Sequence, residues 1–250
     1  MMRLTRHRGP DDSLTSIAEG LALGANRLAI VGDRRKPGAL YKSADGQIVA
    51  LFNGEIVNHH ELCEKFSLAI RTSRGHSDGE VIVPLYRALG ADFVRQLAGM
   101  FAIALADLEL HRVLLYRDRL GVKPLYYAID KTEVVFSSEL KAVVVARHEH
   151  VPPAFEAVDH ILTMRFPPGR QTPFAGIQRL LPGEYLSIEV DGCQRQTYWT
   201  MPTEADALQT GSDSAIGACV EHVVAEYSQA DVAGGFFLSG GLDSRNGFIT

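Results

Sequence analysis

The sequence predicts an α+β protein built mainly on antiparallel sheet, and three observations carry that expectation. Short apolar runs come in successive pairs joined by turn-forming residues; a few stretches of helical period lie between them; and near residue 202 the composition changes before a strand-like run enters a glycine turn. With 250 residues, 46% hydrophobic and 22% charged, the chain has apolar material for one large domain or two smaller ones. The net charge of -5 is scattered and includes no basic block, which argues against a nucleic-acid partner. Cys63, Cys193 and Cys219 lie far apart with no CxxC pair, so neither a disulfide framework nor a thiolate zinc site is expected, and a reducing cytoplasm fits best. No stretch approaches the roughly 18 to 20 apolar residues of a spanning helix, and the N-terminus lacks the apolar core of a secretory signal, so no membrane role is expected.

Taken in order, the sheet pattern begins at Leu21 and runs to about Tyr198. Residues 48–52 form an apolar run ending in Asn53-Gly54, the dipeptide best suited to a tight turn because both residues tolerate positive φ. Residues 100–106 and 113–116 read as two buried strands joined by the polar stretch 107–112. Residues 125–129 and 134–136 flank Asp130-Lys131-Thr132 in the same way, and 185–190 pairs with 194–199 across Asp191-Gly192. The best helix covers 78–89, where Val81, Ile82, Leu85, Tyr86 and Leu89 make one apolar face. Ser77 and Glu80 form a capping box and Gly90 stops the helix, while Pro84 predicts a kink because it cannot donate to the Glu80 carbonyl. Shorter helices are expected over 61–66, 139–146 and 155–163, the last closed by Pro167-Pro168.

From 202 to 214 the residues are mostly Thr, Ser, Asp, Gly and Ala, which marks a domain boundary and divides the chain into 1–201 and 202–250. Beyond it, 214–227 reads as helix and 232–238 as a strand entering Ser239-Gly240-Gly241, the opening of an α/β nucleotide fold. Backbone N–H groups at such a turn can wrap a polyphosphate, and the following helix dipole adds favourable charge. The Walker pattern is absent, since no GK[ST] follows.

Two sets of motifs go beyond architecture. FLSGGLDS at 237–244 resembles the pyrophosphate loop of PP-loop ATP pyrophosphatases. Ahead of it, in order, come RHRGPDD (6–12), NRLAIV (26–31), FNGEIVNH (52–59), GHSDGEV (75–81) and RDRLGVKPLYY (117–127). Each is ordinary alone: a Gly-Pro turn, a hairpin, a helix cap, a surface arginine. In this order and ahead of SGGLDS they are similar to the class II glutamine amidotransferase domain of glutamine-hydrolysing asparagine synthases, over nearly the whole chain.

The resemblance implies a four-layer αββα sandwich of the Ntn-hydrolase type, followed by the truncated start of a PP-loop domain. It implies a glutamine pocket in which Arg27 clamps the α-carboxylate, Asp78 pairs with the α-ammonium with help from Glu55, and Leu28, Ala29, Ile30 and Val31 line the wall. The Asn53 side-chain amide and the Gly54 backbone N–H would form an oxyanion hole. In the nucleotide loop Leu238, Ser239, Gly240, Gly241 and Ser244 would hold ATP, and Asp243 would support Mg2+. Glutamine, ATP and aspartate are then the expected small-molecule partners, no cofactor serves the glutaminase half, and a homodimer is compatible with the family.

The chain departs from the family pattern at both ends. The family nucleophile is an N-terminal cysteine upstream of the HRGPD-like motif, whereas here Met1 stands six residues before His7 and no cysteine lies near. After SGGLDS, RNGFIT replaces the expected small, apolar helix start. The expectation is therefore an asparagine synthase piece that has a glutamine pocket but neither glutaminase nor synthetase activity by itself. The alternatives are a nucleophile-free relative of the β-lactam synthetase kind, or a non-catalytic protein that binds glutamine or a partner.

Overall fold

The computed structural model describes residues 1–18, 20–29, 38–68, 77–147, 150–203 and 213–228, together with 235 and 241. The helices among them are α1 (Met2–Thr5), α2 (His59–Lys65), α3 (Ile82–Leu89), α4 (Leu140–Ala146), α5 (Phe155–Met164) and α6 (Asp213–Tyr227). The strands are β1 (Asp12–Ala18), β2 (Leu21–Arg27), β3 (Leu40–Lys42), β4 (Ile48–Ile56), β5 (Gly99–Asp107), β6 (Arg112–Arg117), β7 (Tyr126–Ile129), β8 (Val134–Ser137), β9 (Ile177–Arg179), β10 (Glu184–Glu189) and β11 (Gly192–Thr197). Every pairing between these strands is antiparallel: a β1-β2 hairpin, a six-stranded sheet in the order β11-β10-β6-β5-β4-β3, and a three-stranded sheet in the order β8-β7-β9. The α+β expectation holds.

Successive residues of the inner strands β4 and β5 alternate sides and are buried on both faces of the six-stranded sheet, while edge strand β11 is exposed. Ile48, Ala50 and Phe52 of β4 join Ile103 and Leu105 of β5 in a cluster with Leu62 of α2 and Ile82, Leu85 and Tyr86 of α3. Val49 and Leu51 point the other way, to Leu23 of β2, Tyr127 of β7 and Leu186 of β10. A third cluster joins Ala128, Val135 and Ile177 of the three-stranded sheet to Val143 of α4.

All three predicted hairpins form, with β5-β6, β7-β8 and β10-β11 paired as expected. Three local expectations are corrected. First, Asn53-Gly54 is not a turn. The strand continues through it to Ile56, with Asn53 opposite Ala102 and Gly54 opposite Phe101. Glycine is required there for close approach: at φ 152, a Cβ would lie 2.0 Å from the Met100 carbonyl oxygen. Second, the capping box forms, but residues 78–81 are a 3-10 turn and the α-helix starts only at Ile82. Pro84 consequently sits in the first turn of α3, where a missing N–H costs least. Third, the sheet starts earlier than Leu21. β1 exposes one face and only half-buries the other, so its apolar signal is weak.

The predicted strand over 232–238 lies outside the described residues except for Gly235, as does the nucleotide loop except for Gly241.

Candidate functional site

A cleft of about 1620 Å³ opens between β2 on one side and β8 on the other, and it is floored by β4 and β5. Arg27, Leu28, Asn53, Gly54, Glu55 and Asp78, all singled out by their sequence motifs, line this one cavity. Ala29 is buried next to them, and Ile30 and Val31 lie outside the described residues. Of the nucleotide-loop residues, Leu238, Ser239, Gly240, Asp243 and Ser244 also lie outside, and Gly241 is exposed.

Arg27 ends β2 and is only 5% exposed. Its guanidinium lies against the backbone of residue 38 so closely that a Cβ there would sit 2.6 Å from Cζ, so a side chain at Gly38 would have to displace the guanidinium. The chain after Arg27 is anchored by Asp11 of the RHRGPDD motif, whose Oδ2 accepts the Ala29 N–H at 2.9 Å. His7 of the same motif meets Glu139, ahead of α4, at 2.7 Å.

Asp78 is likewise 5% exposed. Its Oδ2 accepts the Ile56 N–H at 2.7 Å, and the Ser77 hydroxyl lies 3.2 Å from Oδ1. Burial raises the Asp78 carboxyl above its usual pKa, and the donors from Ile56 and Ser77 pull it partly back. The Tyr41 hydroxyl lies 2.6 Å from Ser77 Oγ, and burial pushes it well above the usual phenol range. The charge of Asp78 raises it further and that of Arg27 lowers it. Burial also raises Glu55, while the nearby Lys123 lowers it and Asp78 raises it further.

The alternation of β4 directs the Gly54 N–H. Phe52 donates to the Ala39 carbonyl at 3.0 Å and Ile56 to Asp78, both on the side of β4 away from β5. In an antiparallel ladder, N–H groups two residues apart point the same way. The Gly54 N–H therefore faces the cleft between those two bonds.

The RDRLGVKPLYY motif braces the opposite strand. Asp118 is 1% exposed and accepts N–H groups from Phe101, Leu120, Val122 and Lys123 at 2.9 to 3.2 Å. Arg117 donates to the carbonyls of Gly121, Lys123 and Leu180. This clamp fixes Phe101 opposite Gly54 and presents Lys123 to the cleft.

Sequence reasoning missed Ser77, Lys123 and Ser138 as lining residues. Ser77 was legible only as a cap and Lys123 only as part of a motif; Ser138 carried no signal. Among the described residues there is no group of three or more His, Cys, Asp or Glu side chains that could hold a metal ion, and no helix long and apolar enough to cross a membrane.

Residues 1–199 match the family model described as a glutamine amidotransferase domain. The chain belongs to the glutamine amidotransferase family. It is 35% identical over 267 residues to the glutamine-hydrolyzing asparagine synthetase 2 of Bacillus subtilis (strain 168), covering 95% of the chain and 33% of that relative. To asparagine synthetase B, also glutamine-hydrolyzing, of Escherichia coli (strain K12) it is 33% identical over 247 residues, covering 98% of the chain and 39% of the relative. The chain thus spans well under half the length of these two relatives.

Proposed function

We propose that the cleft binds free L-glutamine. The observation that carries this reading is the pair Arg27 and Asp78: opposite charges, each almost fully buried, both lining a cavity whose floor presents Asn53 and the Gly54 N–H. A zwitterion carries one charge complementary to each, which can add to the partners these side chains already have within the protein. The Arg27 guanidinium suits the α-carboxylate through paired N–H donors. Asp78, with Glu55 beside it, suits the α-ammonium. The side-chain carbonyl then lies toward Asn53 and Gly54, whose N–H groups favour charge developing on that oxygen. The cavity exceeds the roughly 300 to 1,000 Å³ usual for a small-ligand site, so glutamine fills only the end near Arg27. The stacked clusters on both faces of the six-stranded sheet and behind the three-stranded sheet support the Ntn-type αββα reading.

In the family the attack on that carbonyl comes from a cysteine thiolate. Cys63 is buried in the cluster on the helix side of the sheet, and burial pushes its thiol up. Cys193 lines the same large cavity, but from β11, four strand spacings or about 19 Å from β4. Cys219 is exposed on α6. The described residues therefore hold glutamine without supplying the attacking group. In a longer protein like the relatives, ammonia from glutamine would serve an ATP-dependent amidation of aspartate through β-aspartyl-AMP. The ATP and Mg2+ residues of that half lie almost wholly outside the described residues, and no step is assigned to them.

The test is selectivity. In thermal-shift titrations glutamine should raise the melting temperature in a saturable way, while aspartate and asparagine, whose side chains are one methylene shorter, should raise it less. Equal responses to all three amino acids would contradict the reading.

A further inference from the structure

We propose that Ser138 is a positioning residue for this site, whose hydroxyl oxygen accepts one N–H of the Asn53 side-chain amide and thereby turns the other toward the bound carbonyl. The inference rests on the glutamine reading of the cleft. Asn53 projects from the six-stranded sheet and Ser138 lies between β8 and α4; their Nδ2 and Oγ meet at 3.5 Å, and both residues line the cavity. The two amide hydrogens share one planar nitrogen, so fixing the direction of one fixes the other. A hydroxyl is the suitable acceptor here, since it carries no charge that would compete for Arg27 or oppose charge on the carbonyl.

Ser138 is itself held. Ser137, at the end of β8, pairs with Tyr126, and its Oγ accepts the Glu139 N–H at 3.2 Å. The Glu139 carboxylate is gripped by His7 at 2.7 Å and Lys141 at 2.9 Å. The segment carrying Ser138 is therefore fixed on both sides, and the RHRGPDD motif reaches Asn53 through it. At 3.5 Å the bond is long for N–H···O, leaving room for it to close when a carbonyl engages the second hydrogen.

The experiment compares the full chain with Ser138→Ala and Ser138→Thr. Calorimetric titrations use glutamine and L-norvaline, which keeps the α-carboxylate and α-ammonium but has no side-chain carbonyl. A two-dimensional NMR spectrum follows the Asn53 side-chain amide, assigned by its loss in Asn53→Asp. Ser138→Ala should shift that signal and weaken glutamine about 3- to 10-fold, the range of one hydrogen bond, while leaving norvaline within about twofold. Ser138→Thr should restore glutamine binding. An unmoved Asn53 signal, or unchanged glutamine affinity, overturns the inference and leaves the glutamine reading standing. Equal weakening of both ligands makes Ser138 a general packing residue and also overturns it. If the wild-type chain binds neither amino acid, the glutamine reading fails and this inference fails with it.

Discussion

Asp78 shows how a single residue joins stability to recognition. Burial raises its pKa above the ordinary 3.8, so in the folded protein the neutral form is favoured relative to the unfolded chain. Its contribution to stability is therefore fullest below about pH 3.8 and is lost as pH rises through the higher folded value. Asp78→Asn keeps an oxygen for the Ile56 N–H but carries no charge to desolvate. Its stability relative to wild type, measured by urea unfolding, should improve from pH 4 to pH 7; a constant difference would refute the assignment. The same variant should weaken glutamine at least tenfold, since a charge-assisted bond contributes roughly 1.5 to 3 kcal/mol. Arg27 and Asp78 were legible in the sequence because their motifs stand in a fixed order. Ser138 was not, because it reaches Asn53 from 85 residues away through a sheet contact that no local pattern announces.

At the scale of elements, β4 and α3 each carry a residue whose meaning reversed once the structure was known. Asn53-Gly54 has the composition of a turn, yet the ladder to β5 continues through it because pairing along the whole of Gly99–Asp107 outweighs the local preference. Gly54→Ala would force a side chain onto the Met100 carbonyl at a φ that L-residues rarely adopt, and should cost about 3 kcal/mol or more in chemical denaturation. A cost below about 1 kcal/mol would place Gly54 in a turn after all. Pro84, expected from sequence to kink a helix interior, belongs to a first turn. Pro84→Ala should therefore change stability by less than about 1 kcal/mol, whereas removing a proline from a helix interior would stabilise by about 3 kcal/mol. Hairpins were legible because their turns are local. β1 was not, because its side chains are mostly solvated and its place is set by pairing with β2.

For the whole molecule, the antiparallel core was readable from runs of apolar residues, but how its sheets stack depends on contacts distant in sequence. The six-stranded sheet sits between two apolar clusters, and its inner strands β4, β5 and β6 should be the last to open. Hydrogen exchange read by mass spectrometry should show the slowest amides in Ile48–Ile56, Gly99–Asp107 and Arg112–Arg117, and fast exchange in α6, whose described side chains are nearly all exposed. Equal protection in α6 would contradict this ranking. The cleft between β2 and β8 takes Arg27 from the end of β2 and Asp78 from the turn before α3, over a floor supplied by the six-stranded sheet, and the central claim is that these charges hold a free amino acid. The most direct test is calorimetric titration of glutamine into the purified chain, alongside Arg27→Ala and Asp78→Asn. The account predicts saturable one-to-one binding with Kd in the region of ~0.1 to 10 mM, weakened at least tenfold by either substitution. No binding to the wild-type chain, or binding that both variants leave unchanged, would contradict it.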